Sequence, residues 1–152
     1  MAVGNSGLFV LTWIDILDAT QLAVNLVGDT IKGALFTNSI TPNYSSDTAY
    51  GVAPYNANEI ANGNGYTTGG ATLATVSVTE SPTGTLMVDV STDPNWTSST
   101  ITNARAMLVY DDTLAGNNAV CLVSFGADYS TTNGTFTVQL AATGLFYIDL
   151  TP

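Results

Sequence analysis

Hydrophobic and polar positions follow two different periods along the N-terminal part of the chain. Between positions 8 and 19, apolar residues recur about every 3.6 residues, which predicts a short helix. Positions 22–26 alternate apolar with polar or small residues, which predicts a half-buried strand. We therefore expect residues 1–28 to form an N-terminal helix or arm segment. The pattern leaves open whether this segment packs against the rest of the chain.

From position 29 onward, the pattern is that of short strands separated by turns rich in Gly, Pro, Asn and Asp. The strands that it predicts are 30–37, 72–79, 85–90, 104–110, 119–125, 135–140 and 145–150. Such strands are typical of antiparallel sandwiches and barrels, and the alternation alone does not choose between the two. We predict an all-β fold, an antiparallel β-sandwich or barrel with a short N-terminal helix, in which residues 29–152 form the β domain.

One long segment, 41–70, shows little hydrophobic periodicity and is rich in glycine and polar residues. Its aromatic residues are all tyrosines, namely Tyr44, Tyr50, Tyr55 and Tyr66. Loops of this length are often functional, and tyrosine is common at interfaces because it combines a large contact area with a polar tip. Two hypotheses follow: the tyrosines contact a partner, or they pin the loop onto its own domain.

Charge is scarce and mostly negative. Charged residues make up 9% of the chain, against roughly 25% in an average soluble protein. Lys32 and Arg105 stand against twelve acidic residues, which gives a net charge of −10. Nucleic acids and anionic membranes are bound through clusters of cations, so we expect neither as a partner. The sequence has no apolar run of about 18 residues, and its N-terminal residues lack the basic region of a secretory signal.

The chain offers little chemistry for catalysis. It has no histidine and a single cysteine, Cys121, which excludes Ser-His-Asp triads and zinc sites built from Cys and His. Most acidic residues fall at predicted turns, where Asp caps backbone N–H groups, and no pair indicates a glycosidase. Asp111 and Asp112 precede a Gly-Asn-Asn turn, but their spacing does not match a calcium-binding EF-hand loop. We expect no enzyme activity, no catalytic residue, no metal and no other cofactor.

Several segments, taken together and in order, resemble a family of small virion structural proteins of tailed bacteriophages. The resemblance covers roughly residues 29–148. It is carried by residues 29–43, 47–50, 58–60, 63–73 (GNGYTTGGATL), 96, 99–102, 104–105, 109–110, 123–128 and 134–138. The N-terminal stretch up to Val27 departs from the family pattern, because it is longer and more hydrophobic.

The resemblance implies a virion component without catalytic residues, and some members of the family are capsid decoration proteins. The leading hypothesis is therefore a decoration or cement protein on the capsid surface, assembled in the host cytoplasm. Its partners would be the major capsid protein and further copies of itself, as a trimer. The alternative is a minor tail or fibre-associated protein, which could recognise glycans. The candidate partner contacts are Trp13, Tyr44, Tyr50 and Tyr55.

Overall fold

The computed structural model describes residues 3–151, and these residues form one helix and ten strands. The elements are β1 (Gly7–Leu8), α1 (Val10–Leu17), β2 (Ile31–Thr37), β3 (Ala71–Thr72), β4 (Ala74–Glu80), β5 (Thr85–Thr92), β6 (Asn95–Ser99), β7 (Ala104–Asp111), β8 (Ala119–Tyr129), β9 (Gly134–Thr137) and β10 (Phe146–Asp149). All strand pairs are antiparallel. The predicted all-β class with a short N-terminal helix is confirmed. Met1, Ala2 and Pro152, at the ends of the two predicted segments, lie outside the described residues.

A five-stranded sheet in the order β1-β8-β7-β2-β3 forms the centre of the molecule. Its inner strands, β2 and β7, are almost continuously apolar, and nearly all of their residues are buried. Runs of this kind are typical of strands covered on both faces. Neighbouring residues on these strands point to opposite faces. Leu35 pairs with Met107 on one face, and Phe36 pairs with Ala106 on the other.

The first face of this sheet packs against the remaining strands. These form a three-stranded sheet, β10-β5-β4, and a two-stranded sheet, β6-β9. Leu35, Met107 and Cys121 share one buried cluster with Val88 and Trp96 from the opposing sheets. No strand ladder joins the three sheets within residues 3–151, so the layers form a sandwich and not a closed barrel.

The second face is covered by the loop after β2. Phe36 and Leu108 share a separate buried cluster with Ile40 and Tyr55. Backbone hydrogen bonds fix the loop along the sheet; they run from Thr37 N–H to Asn58 O (3.0 Å), Tyr50 N–H to Asn117 O (3.0 Å), Ile60 N–H to Leu35 O (2.9 Å) and Ala119 N–H to Thr48 O (2.9 Å). The first part of the segment that lacked hydrophobic periodicity, up to Tyr55, therefore forms a third layer, whereas Ile60 and Tyr66 join the cluster on the first face.

Helix α1 packs beside β8 at the edge of the five-stranded sheet. Phe9, which precedes it, is fully buried, and its N–H donates to Val120 O (3.3 Å). The Thr12 hydroxyl donates to Ala119 O (2.6 Å). The N-terminal segment thus contains a packed helix. This helix is eight residues long, and none among residues 3–151 is long and apolar enough to cross a membrane.

The strand predicted at 22–26 is wrong, because these residues form no strand. Side chains divert the backbone into a turn instead. The Asn25 N–H donates to Asp29 Oδ2 (2.7 Å), and the Gly28 N–H donates to Asn25 Oδ1 (2.9 Å). Asn and Asp commonly compete in this way with strand pairing.

Several strand boundaries also differ from the prediction. The predicted strand 72–79 is divided into β3 and β4, and β9 ends at Thr137, three residues before its predicted end. Strand β6 was not predicted, and it forms because Trp96 pairs with Phe136 of β9. Strand β8 continues to Tyr129, four residues beyond its predicted end. A register shift in the β7–β8 ladder accompanies this extension, and Gly126 adopts a φ of 73° there. Such bulges add residues to one strand and bend it.

Candidate partner-binding surface

The outer face of α1 is apolar. Val10 is 45% exposed, Ile14 48% and Leu17 82%. At about 100° per residue, these three positions span an arc of roughly 60° on the helix. Thr12 lies on the opposite side and is buried. The helix therefore turns its polar Thr12 inward and an apolar stripe outward, which reverses the usual arrangement of a surface helix.

Local contacts explain this orientation. The Thr12 hydroxyl has a buried acceptor in Ala119 O, which satisfies a group that would otherwise be costly to bury. The Val10 N–H donates to Tyr44 O (2.8 Å) at the start of the helix. Phe9 fixes the entry of the chain by packing its ring against Tyr44 (centroids 5.5 Å apart) and Tyr55 (5.8 Å). The rotation of α1 is thus set by three anchors, and it leaves the stripe in solvent.

A shallow apolar groove continues the stripe onto the neighbouring strands. It has a volume of about 550 Å³, and its lining is Leu8, Val10, Trp13, Ile14, Leu17, Asp18 and Ile148. The Trp13 ring forms one wall and packs edge-on against Phe146 (centroids 5.7 Å apart). The Trp13 indole N–H is buried and has no acceptor among the described residues. We call the groove and the outer stripe of α1 the helix face.

The one charged residue in the groove lining is acidic. It is Asp18, which directly follows α1, whereas Asp15 lies about 130° around the helix from the centre of the stripe. Both basic side chains of the chain are engaged elsewhere, since Lys32 pairs with Asp112 (2.8 Å) and Arg105 pairs with Asp128 (3.4 Å). The described residues therefore place no unpaired Lys or Arg beside this face.

The loop tyrosines contact their own domain. Tyr55 is 2% exposed and packs edge-on against Phe36 (centroids 5.5 Å apart). Tyr50 stacks on Tyr110 at 4.4 Å and 10°. The Tyr44 hydroxyl donates to Asn5 O. In this fold Tyr55 has almost no surface for a partner, whereas Tyr44 and Tyr50 are partly exposed.

A hydrogen-bond network centred on Glu59 holds the rest of the loop. Its carboxylate accepts from the Tyr50 hydroxyl (2.9 Å), the Tyr66 hydroxyl (2.8 Å) and the Gly69 N–H (2.7 Å). Burial and the Glu59 charge raise the pKa of the Tyr50 and Tyr66 phenols. Neutral phenols are the donors that this carboxylate needs, so the network acts as a structural clasp.

Neither acid of the Asp111–Asp112 pair is free to bind a metal with the other. Asp112 is paired with Lys32. Asp111 is buried at the end of β7, and its Oδ1 accepts the N–H groups of Thr113 (2.9 Å) and Leu114 (3.3 Å). No cluster of three or more potential metal ligands occurs within residues 3–151.

A second groove lies between β8 and β9. Its volume is about 520 Å³, and it is lined by Phe125, Tyr129 and Phe136 together with hydroxyl and amide side chains that include Thr131 and Gln139. Tyr129 is 53% exposed. An exposed aromatic ring beside polar groups is an arrangement that suits a polar ligand such as a sugar.

Of the four residues predicted as partner contacts, the structure places only Trp13 at the helix face. Tyr44, Tyr50 and Tyr55 lie in the loop layer. The prediction missed Val10, Ile14 and Leu17, although their i, i+4, i+7 spacing is a sequence signal for one helix face. The inward position of Thr12 could not be read from the sequence, because its acceptor comes from β8.

Comparisons with protein-family models, with curated proteins and with solved structures gave no match.

Proposed function

We propose that the chain is a non-enzymatic structural protein of a tailed-bacteriophage virion, a capsid decoration or cement protein that binds the outer surface of the assembled head. The observation that carries this proposal is the helix face, whose apolar stripe of Val10, Ile14 and Leu17 is exposed on an otherwise well-packed domain. Contiguous exposed apolar surface of this kind marks protein–protein contacts. The resemblance of residues 29–148 to virion structural proteins supplies the kind of particle.

In this proposal the helix face contacts the major capsid protein. The region that departs from the family pattern, up to Val27, is then the part of the chain specialised for its own capsid. Copies associate as a trimer through other surfaces, and the protein resides on the virion after assembly in the host cytoplasm. Nucleic acid and membranes have no part, because both basic side chains are already in ion pairs.

The direct test is binding to heads of the same virus assembled without this chain. We expect the purified protein to co-sediment with such heads. The variant Ile14→Gln/Leu17→Gln should bind about tenfold more weakly or worse, because it removes the centre of the apolar contact. Val52→Gln is a matched control, since Val52 is also exposed but lies in the loop. The proposal fails if the wild-type chain does not bind, or if the helix variant binds as well as Val52→Gln.

A second candidate function, a minor tail or fibre-associated protein that recognises glycans, is favoured by one observation. The β8–β9 groove combines the exposed Tyr129 with polar side chains. A glycan array probed with the wild-type chain and with Tyr129→Ala would test it. Binding that is lost in the variant supports this function, and a silent array removes it.

A further inference from the structure

The lining of the helix face indicates the chemistry of the surface that binds it. We infer that its occupant is a different protein, not a second copy, and that the contacting surface presents an apolar patch bordered by Lys or Arg. This inference rests on the proposed function, and it specifies which feature of the head surface is recognised.

The centre of the face requires an apolar counterpart. The stripe and the groove beneath it are lined by aliphatic side chains and the Trp13 ring, with Asp18 as the one charged residue in the lining. Burying such surface is favourable in proportion to its apolar area. A purely polar or sugar-like ligand would not provide the free energy that comes from burying this apolar surface. An apolar patch of protein side chains would provide it.

The border of the face requires positive charge. Asp18 directly follows the last residue of α1, lines the groove and is exposed. A partner without cations would have to desolvate this carboxylate without compensation, which is costly. Complementary charges at the rim of an interface chiefly speed association and set specificity.

A second copy of the chain does not meet this requirement. Its net charge is −10, and its two basic side chains are held by Asp112 and Asp128. A twofold pairing would place the same patch against itself. The Asp18 carboxylates of both copies would then lie in one interface with no Lys or Arg side chain free to pair with them.

The experiment measures binding to heads assembled without the chain at about 50 mM and about 500 mM salt, a range over which the Debye length shrinks severalfold. We expect Asp18→Asn to bind about threefold more weakly than wild type at low salt and equally at high salt, since exposed ion pairs contribute under about 1 kcal/mol. Asp93→Asn is the matched control. The Asp18 carboxylate accepts the Thr20 N–H, and the Asp93 carboxylate accepts the Leu140 N–H. The side-chain oxygen of Asn can still accept either bond.

Asp93 follows β5 at the end remote from the helix face. Ile148 of the groove pairs with Leu86 at the other end of this strand, and a strand rises about 3.3 Å per residue. Asp93→Asn should therefore bind like wild type at both salt concentrations.

The possible results separate the two proposals. If the wild-type chain binds heads but neither salt nor Asp18→Asn changes the affinity, the inference is wrong while the decoration function stands. If the wild-type chain binds no heads at either salt concentration, both are wrong. Analytical ultracentrifugation gives the third result: an oligomer that dissociates in Ile14→Gln/Leu17→Gln would identify a second copy as the occupant and overturn the inference.

Discussion

In both the loop 41–60 and helix α1, the burial of side chains differs from what the polarity of the segment would suggest. The loop is mostly polar, yet Tyr55 within it is 2% exposed. The helix is almost entirely apolar, yet Leu17 is 82% exposed. A tyrosine-rich loop can form a core layer when its rings reach a sheet and its hydroxyls find acceptors. An apolar helix that remains exposed is the more informative feature, because nothing within its own domain accounts for it.

The largest effect is expected when the Tyr55 ring is removed. Tyr55→Ala should lower the free energy of unfolding by about 3–5 kcal/mol, as expected for loss of a buried aromatic side chain. Chemical denaturation followed by near-UV circular dichroism measures this change. Tyr55→Phe should remain close to wild type, because the Tyr55 hydroxyl has no hydrogen-bond partner among the described residues. A loss below about 1 kcal/mol in Tyr55→Ala would mean that the loop is not part of the core.

Alkaline titration tests the same layer without mutation. Burial raises the pKa of the Tyr50 and Tyr55 phenols above the usual value of 10.0. The folded state thus holds these protons more tightly than the unfolded state. The resulting stabilisation is fully present below pH 10.0 and is lost as the pH rises further. We expect these phenols to ionise only as the protein unfolds.

Tyrosinate absorbance recorded together with circular dichroism follows both events. The variant Tyr129→Phe/Tyr147→Phe removes two exposed phenols and leaves the buried ones to be counted. Ionisation of the loop tyrosines at their usual pKa in a protein that is still folded would contradict the assignment of the loop to the core.

A buried carboxyl at the end of β7 gives a smaller effect. Burial raises the pKa of Asp111, and the nearby Asp29 carboxyl adds to this rise. A raised pKa in the folded state means that the contribution of Asp111 is greatest below the ordinary pKa of 3.8 and declines as the pH rises. Asp111 Oδ2 is buried and has no partner among the described residues. Lys32 and Asp112, the other charges at this end of β7, are paired with each other.

We therefore expect Asp111→Asn to be about 1 kcal/mol more stable than wild type at neutral pH, because an amide can donate to Asp29 where a carboxylate cannot. The gain should shrink as the pH falls toward 3.8. Denaturation at several pH values measures it. A variant that is less stable than wild type at every pH would show that Asp111 is favourable as a carboxylate.

The smallest expected effect concerns the helix. Ile14→Gln/Leu17→Gln should change the free energy of unfolding by no more than about 0.5 kcal/mol, as is usual for exposed positions. Thermal unfolding at two protein concentrations provides the measurement. A loss above about 2 kcal/mol would indicate that these side chains are buried in the isolated protein and that the exposed stripe is not a free surface.

The strands were predictable where the pattern of apolar and polar residues alone specifies them. β4 and β5 alternate apolar with polar residues, and β2 and β7 are apolar runs, so each pattern predicts a strand directly. Strand β6 was not predictable, since most of its residues are polar and its strand conformation depends on pairing with β9. The third layer was also hidden, because tyrosines that contact a partner and tyrosines that cover a sheet have the same local sequence.

The helix face was only half predictable. The apolar periodicity located the helix, but its rotation depends on the bond from Thr12 to Ala119 O, which lies 107 positions away in the sequence. The sequence around Thr12 does not indicate such an acceptor. Trp13 was predicted as a partner contact and lies in the groove lining, whereas the stripe became apparent only once the inward side of the helix was known.

The most direct test of the account is a cryo-EM map of the virus particle that carries this protein. We expect regular protrusions over the capsid lattice, with α1 against the shell and the loop 41–60 folded within each protrusion. Density confined to the tail or its vertex would contradict the decoration function. Density on the capsid with Val10, Ile14 and Leu17 facing solvent would contradict the role assigned to the helix face.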